Sequence, residues 1–219
     1  MKVCTDACIL GAWFAGKPFS DSNVLDIGSG TGLLMMMLAQ KSKATIHGIE
    51  LSLSCFKQLK ENIAQNQWGE RLTVYHGDVR SYSFPEKYDF IIANPPFYEN
   101  DLQSGTSEKN LAKHSGELSL KELVQVIQRN LSIKGSFGIL LSYDRWEYFN
   151  GLSEEQGFYL REKLFIRHSP AHNFSRAVLR YSHSTEKSIP AHEISIHEGD
   201  TAGYSKEFIA LMEDYYLYL

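Results

Sequence analysis

The chain has little of what would tie it to a membrane, a disulfide framework or a polyanion coat. It carries three cysteines, Cys4, Cys8 and Cys55, with no C-x-x-C pair among them. An odd, unpaired set argues against a disulfide scaffold. The longest apolar run, Leu33 to Ala39, is far too short to span a bilayer. The amino terminus lacks the basic head, apolar middle and cleavage site of a secretory signal. There is no excess of basic charge either: the net charge is −4, so any polyanion partner must meet a local patch. No repeat or low-complexity stretch interrupts the chain. The expectation is a soluble cytoplasmic protein with no membrane association and no obligate protein partner. Its 219 residues and 43% hydrophobic content suffice for a single α/β domain over residues 1–219.

Strand and helix signals then alternate. Strands are expected at 24–27, 44–49, 72–76 and 88–93, and again at 136–141, 159–166 and 177–181. Helices are expected at 33–40, 52–66, 118–131, 145–157 and 205–217, with Ser52 as an N-cap. No helix signal separates the last two strands, so they are read as an antiparallel hairpin. The fold class is therefore α/β, a doubly wound, seven-stranded, mostly parallel sheet with an antiparallel last hairpin. In such sheets ligands bind at the carboxyl ends of the strands. Glu50, Asp78, Asn94 and the turn Gly28-Ser29-Gly30-Thr31-Gly32 all fall at such ends.

A strand–glycine–helix turn alone is a weak nucleotide signal. The spacing Gly28-x-Gly30-x-Gly32 is not the dinucleotide fingerprint, which would need glycine where Leu33 stands. Nor does a G-K-[ST] follow, as a phosphate loop requires. The stretch "VLDIGSGTG" resembles the first motif of the S-adenosylmethionine (AdoMet) methyltransferases, a Rossmann-like family. That resemblance implies AdoMet as cofactor, with the glycines allowing close backbone approach. It implies Glu50 at the ribose hydroxyls, Asp78 at the adenine amine and Asp26 near the methionine end.

The stretch Asn94-Pro95-Pro96-Phe97 ends a strand with two residues that cannot donate to a sheet. Its residue types suit an exocyclic amine, whose lone pair is delocalised into its ring. Two acceptors on the two N–H bonds draw such a nitrogen toward tetrahedral geometry. The Asn94 oxygen and the Pro95 carbonyl are candidates, with Pro95 and Pro96 fixing the backbone and Phe97 offering a stacking face. The element resembles the fourth motif of the amino-methyltransferases, which modify adenine N6, cytosine N4, guanine N2 or a glutamine amide.

A closer resemblance runs through "MKVCTDACILGAW", "NPPFYEN" and "YSKEFIALMEDYYLYL". These stretches are similar to the tRNA adenine-N6 methyltransferases that modify the adenine beside the anticodon of a valine tRNA. The resemblance covers nearly the whole chain. It implies that Lys2 to Asp6 packs over AdoMet, with Thr5 and Asp6 among the cofactor contacts. Cys4 and Ala7 stand where the family has glycine, which raises the question of backbone conformation there. Ribosomal guanine-N2 and protein-glutamine N5 methyltransferases remain alternatives, although each adds a domain for which there is no room. So does a non-catalytic AdoMet-binding sensor, which has no need of the Asn-Pro-Pro-Phe acceptors.

A tRNA partner needs local positive charge. Between Arg161 and Lys187 six Lys/Arg face two acids, and Lys109, Lys113 and His114 follow the Asn-Pro-Pro-Phe stretch. Arg167, Arg176, Lys109, Lys113 and Phe97 are the expected substrate contacts. His168 and His172 are four apart, as are Glu193 and His197, but Ser, Pro and Asn around them oppose the helix such a metal site needs. No metal site is expected.

Overall fold

The computed structural model describes residues 4–17, 22–96, 118–185, 190–199 and 203–219. Phe97, Lys109, Lys113, His114, Lys187 and Lys2 lie outside the described residues.

The elements run α1 (Thr5–Ala15), β1 (Asn23–Ile27), α2 (Leu33–Lys41), β2 (Thr45–Glu50), α3 (Leu53–Ala64), β3 (Leu72–His76) and β4 (Tyr88–Ala93). Then follow α4 (Leu120–Asn130), β5 (Leu131–Ser142), α5 (Trp146–Glu155), β6 (Tyr159–Arg167), β7 (Phe174–Ser182), β8 (Ala191–Ser195) and α6 (Lys206–Met212). They build one sheet of order β3-β2-β1-β4-β5-β7-β6-β8. The pairs β3–β2, β2–β1, β1–β4 and β4–β5 are parallel, and β7 runs antiparallel to both β5 and β6.

The sheet has eight strands where seven were expected. The added strand, β8, pairs parallel to β6 at the outer edge. Only Ile194 of its five residues is buried, so no alternation announces it. Helix α1 was likewise not read as a helix. Eight of its eleven residues are buried, and a helix apolar all round shows no amphipathic period. The last helix is shorter than expected, stopping at Met212 rather than continuing to 217.

Two cores flank the sheet. Phe14, Val24, Met35, Leu38, Ile46, Leu59, Val178 and Phe208 pack under α1, α2, α3 and α6. Leu25, Tyr88, Ile91, Leu123, Ile127, Phe137, Phe149 and Tyr181 pack under α4 and α5. Alternate residues of each strand feed opposite cores, so both sheet faces are covered. Helix α4 starts with a reciprocal capping box, Ser119 with Glu122. Ser52 caps α3 as expected, its hydroxyl accepting from the Cys55 N–H at 3.5 Å. No described helix is long and apolar enough to cross a membrane.

Candidate active site

Register brings the site together. Ala93, the last residue of β4, lies opposite Ile27 of β1, so Asn94 leaves the sheet beside Gly28. Glu50 ends β2 opposite His76 of β3, and Asp78 follows one turn beyond. Four strand ends therefore meet on one edge of the sheet.

Gly28, Gly30 and Gly32 have φ of 74°, 56° and 92°, a left-handed region that side chains rarely adopt. A Cβ on Gly28 would meet nothing within 4 Å, so the turn's outer surface is open. A Cβ on Gly32 would overlap the Leu59 side chain of α3, which would have to shift. Gly28 and Ser29 N–H both bond the Ile49 carbonyl, at 3.0 and 3.1 Å, tying the turn to β2.

Glu50 is held rigidly. Its Oε2 accepts from the Gly30 N–H at 2.8 Å and its Oε1 from the Ser52 N–H at 2.7 Å. A carboxylate has about four acceptor positions, so capacity remains for a pair of hydroxyls. Asp78 is gripped by Arg80: the Arg80 N–H and Nε reach Oδ1 at 2.9 and 3.0 Å, and Nη2 reaches Oδ2 at 2.6 Å. These bonds hold the Asp78 carboxyl below its usual range.

Asp26 is the opposite case. It is fully buried, and neither carboxylate oxygen has a hydrogen-bond partner among the described residues. Burial first, then the charge of Glu50, pushes its pKa from 3.8 up to about 8, against a smaller opposing effect of Ser29. The Ser29 hydroxyl itself donates to the Asp26 carbonyl at 2.9 Å. The Asn94 Oδ1 is also buried without a partner among the described residues. Buried acceptors are normally satisfied, so two orphans at adjoining strand ends mark a place shaped for an absent donor. With the open glycine turn and the anchored Glu50 and Asp78, these residues fit a polar ligand carrying a positive charge and N–H and O–H donors.

Thr5 and Asp6 open α1. Cys4, its N-cap, has φ −114° and Ala7 is helical, so neither position needs the left-handed conformation that glycine would supply. Asp6 accepts from Arg176 Nε at 2.9 Å, which joins an expected cofactor residue to an expected substrate residue. Tyr215 and Tyr216 pack on the core, while Tyr218 is exposed. Arg167 donates to the Ser195 hydroxyl at 3.1 Å, lies 3.5 Å from Glu193 and covers the Phe174 ring. Arg167 and Arg176 point to opposite faces of the β6–β7 pair, each bonded within the protein. His168 lies against both His172 and His197, yet no described group of His, Cys, Asp or Glu has a metal-holding arrangement.

Sequence reasoning missed Arg80, whose signal was its place two residues after a strand-end acid. It also missed a cleft beside the proline pair, lined by Pro95, Pro96, Leu118, Leu120, Leu141, Ser142 and Arg145. Ser142 and Arg145 sit at the carboxyl end of β5, where a ligand-side role was open to expectation.

The fold and site together define a Rossmann-like methyltransferase. The chain is 15% identical to a predicted O-methyltransferase of known structure from Agrobacterium tumefaciens, with a TM-score of 0.73 over 95% of this chain and 96% of that one. A glycopeptide N-methyltransferase solved with S-adenosylmethionine superimposes with a TM-score of 0.62 at 12% identity, covering 84% of this chain and all of that one. Residues 12–155 match the methyltransferase small domain. A tRNA1(Val) (adenine(37)-N6)-methyltransferase from Dyadobacter fermentans is 36% identical over 99% of this chain and 91% of its own length. Its namesakes from Bacteroides fragilis and Shewanella putrefaciens are 34% and 32% identical, again over nearly the full chain. The chain belongs to the methyltransferase small domain family and, within it, to the group these relatives form.

Proposed function

We propose that this enzyme transfers the methyl group of S-adenosylmethionine to the exocyclic N6 of adenine 37 in tRNA1(Val), as its relatives' names state for them. The observation that carries the reading is the buried, unpartnered Asn94 Oδ1, placed by β4 beside the glycine turn and followed by two prolines.

When bound, S-adenosylmethionine supplies an electrophilic methyl on a sulfonium. Gly28, Gly30 and Gly32 would let the backbone approach it. Glu50 would hold the ribose hydroxyls and Asp78 the adenine amine. Asp26, Thr5 and Asp6 would face the methionine end, where an ammonium would satisfy the orphaned Asp26 carboxylate and keep it ionised. Asn94 Oδ1 accepts one hydrogen of the target amine and the Pro95 carbonyl the other. Both acceptors are preorganised by the proline pair, so the nitrogen lone pair is aligned at little entropic cost. No strong base is needed, because the amine proton becomes acidic once nitrogen carries the methyl. Phe97 stacks on the target base. Lys109, Lys113, Arg167 and Arg176 would meet tRNA phosphates, the two arginines from opposite faces of the β6–β7 pair rather than as one patch, and a tRNA substrate implies a cytoplasmic enzyme. The relatives' names favour adenine over guanine N2 or a glutamine amide, and the intact Asn94-Pro95-Pro96-Phe97 argues against a mere sensor.

The test is incubation of total tRNA with labelled S-adenosylmethionine, followed by digestion to nucleosides. N6-methyladenosine in the valine tRNA is the expected product. Label in N2-methylguanosine, or only in added release factor, would overturn the substrate assignment. Binding of tRNA should weaken steeply with salt.

A further inference from the structure

We propose that Arg80 is a positioning residue that sets the specificity of the adenine subsite. Its guanidinium fixes the orientation of the Asp78 carboxylate, so the subsite selects a 6-aminopurine cofactor over its 6-oxo counterpart. This rests on the reading of Asp78 as the acceptor for the cofactor's adenine amine.

The geometry is that of a clamp. Arg80 Nε lies 3.0 Å from both Asp78 oxygens, Nη2 is 2.6 Å from Oδ2, and the Arg80 backbone N–H is 2.9 Å from Oδ1. The planar guanidinium fork matches the carboxylate plane, which fixes the carboxylate's orientation as well as its charge. Asp78 is otherwise about one-third exposed, and a free aspartate there would sample several rotamers.

The clamp is braced from the far side. Arg80 Nη1 lies 3.5 Å from Glu122 Oε1, while Glu122 Oε2 accepts from the Ser119 N–H at 2.9 Å and the Ser119 hydroxyl at 2.7 Å. Glu122 is thus the capping carboxylate of α4, anchored to a helix that buries Leu120, Leu123, Val124 and Ile127. Arg80 therefore spans from the end of β3 to the first turn of α4. Its bonds hold the Asp78 carboxylate in one orientation, and an ionised carboxylate can only accept. A 6-amino group presents N–H donors to it. A 6-oxo group presents another acceptor and is repelled. Selection by a fixed hydrogen-bonding group works by leaving the wrong ligand's group opposed to it.

Calorimetric affinities for S-adenosylhomocysteine and S-inosylhomocysteine test the proposal, read on wild type, Arg80→Ala, Arg80→Lys and Asp78→Ala. Wild type should prefer the adenine compound. Arg80→Ala should reduce that preference by roughly tenfold, the scale of one hydrogen bond to a charged group. Arg80→Lys keeps the charge without the fork and should fall between. Asp78→Ala should abolish the preference. If Asp78→Ala loses the preference while both Arg80 variants keep it in full, the positioning role is overturned and the Asp78 reading stands. If Asp78→Ala keeps the preference, the Asp78 reading fails and the proposal with it. Should Arg80→Ala not fold, Arg80→Lys decides: a full preference overturns the proposal and a reduced one supports it.

Discussion

Two buried carboxylates, Asp26 and Glu162, lie on the same face of the same sheet and are treated in opposite ways. Glu162, on β6, has the Lys17 ammonium at 2.7 Å, the Arg180 Nε at 3.6 Å and the His192 ring at 3.9 Å. Asp26, on β1, has no hydrogen-bond partner for its carboxylate among the described residues, and the charge acting on it is that of another acid, Glu50. A buried charge is tolerated when it is paired, and otherwise shifts its pKa and neutralises. Glu162 is scaffold: it ties the segment after α1 to β6 and β7. Asp26 carries an unmet demand, and an unmet demand at a strand end is what a charged ligand satisfies. The β3-β2-β1-β4 half thus holds its acceptors open, while the β5-β7-β6-β8 half uses this acid to hold itself together.

The sharpest break of the comparison is at Asn94, the site's other orphan. Asn94→Ala should leave the melting temperature and cofactor affinity nearly unchanged and lower turnover by about 10²–10³, the usual scale for one preorganised electrostatic group. Asn94→Asp keeps an acceptor of the same shape and should retain partial activity with an altered pH profile. Loss of folding in the alanine variant, with full activity in the aspartate one, would make Asn94 scaffold too.

Next in size is Glu162→Ala. Removing the shared partner leaves Lys17 and Arg180 unpaired. Both side chains still reach water, so the expected destabilisation is about 1–3 kcal/mol, below that for a fully buried pair. Chemical denaturation measures it, and methyl transfer at low temperature should be unaffected. An equal loss of cofactor affinity would erase the distinction between the two halves.

A third test is at Asp26. Its folded pKa, raised from 3.8 to about 8, means that the native state binds a proton which the unfolded chain releases. That contribution is fully present below about pH 4 and is lost as pH rises toward 8. Asp26→Asn cannot ionise, so the ligand-free variant should gain stability relative to wild type progressively across this window. Its affinity for S-adenosylmethionine should fall. Parallel stability–pH curves for variant and wild type would show that Asp26 is already satisfied.

Much of this was readable along the chain. The seven expected strands recur within a few residues of their positions, and Ser52 caps α3. The glycine turn, Glu50, Asp78 and Asn94 do meet at one edge, because alternation of strand and helix dictates a parallel sheet whose ends align. Less local features escaped. Strand β8 buries one side chain, and α1 is buried nearly all round, so neither carries a periodic pattern. The basic stretch from Arg161 to Lys187 reads as one patch in sequence, yet strand alternation turns Arg167 and Arg176 to opposite faces.

By itself the order of residues determined the doubly wound topology, the left-handed turn that only glycine accepts cheaply and the rigid strand exit at Pro95 and Pro96, all steric consequences of neighbouring residues. Only the tertiary structure decided which acids are paired. Asp26, Asp78 and Glu162 are alike as carboxylates, but burial and the presence or absence of a cation, local Arg80 for Asp78 and distant Lys17 for Glu162, make them an open acceptor, a clamped acceptor and a structural tie. Electrostatic energy depends on distance and solvent in three dimensions, which no spacing along the chain records.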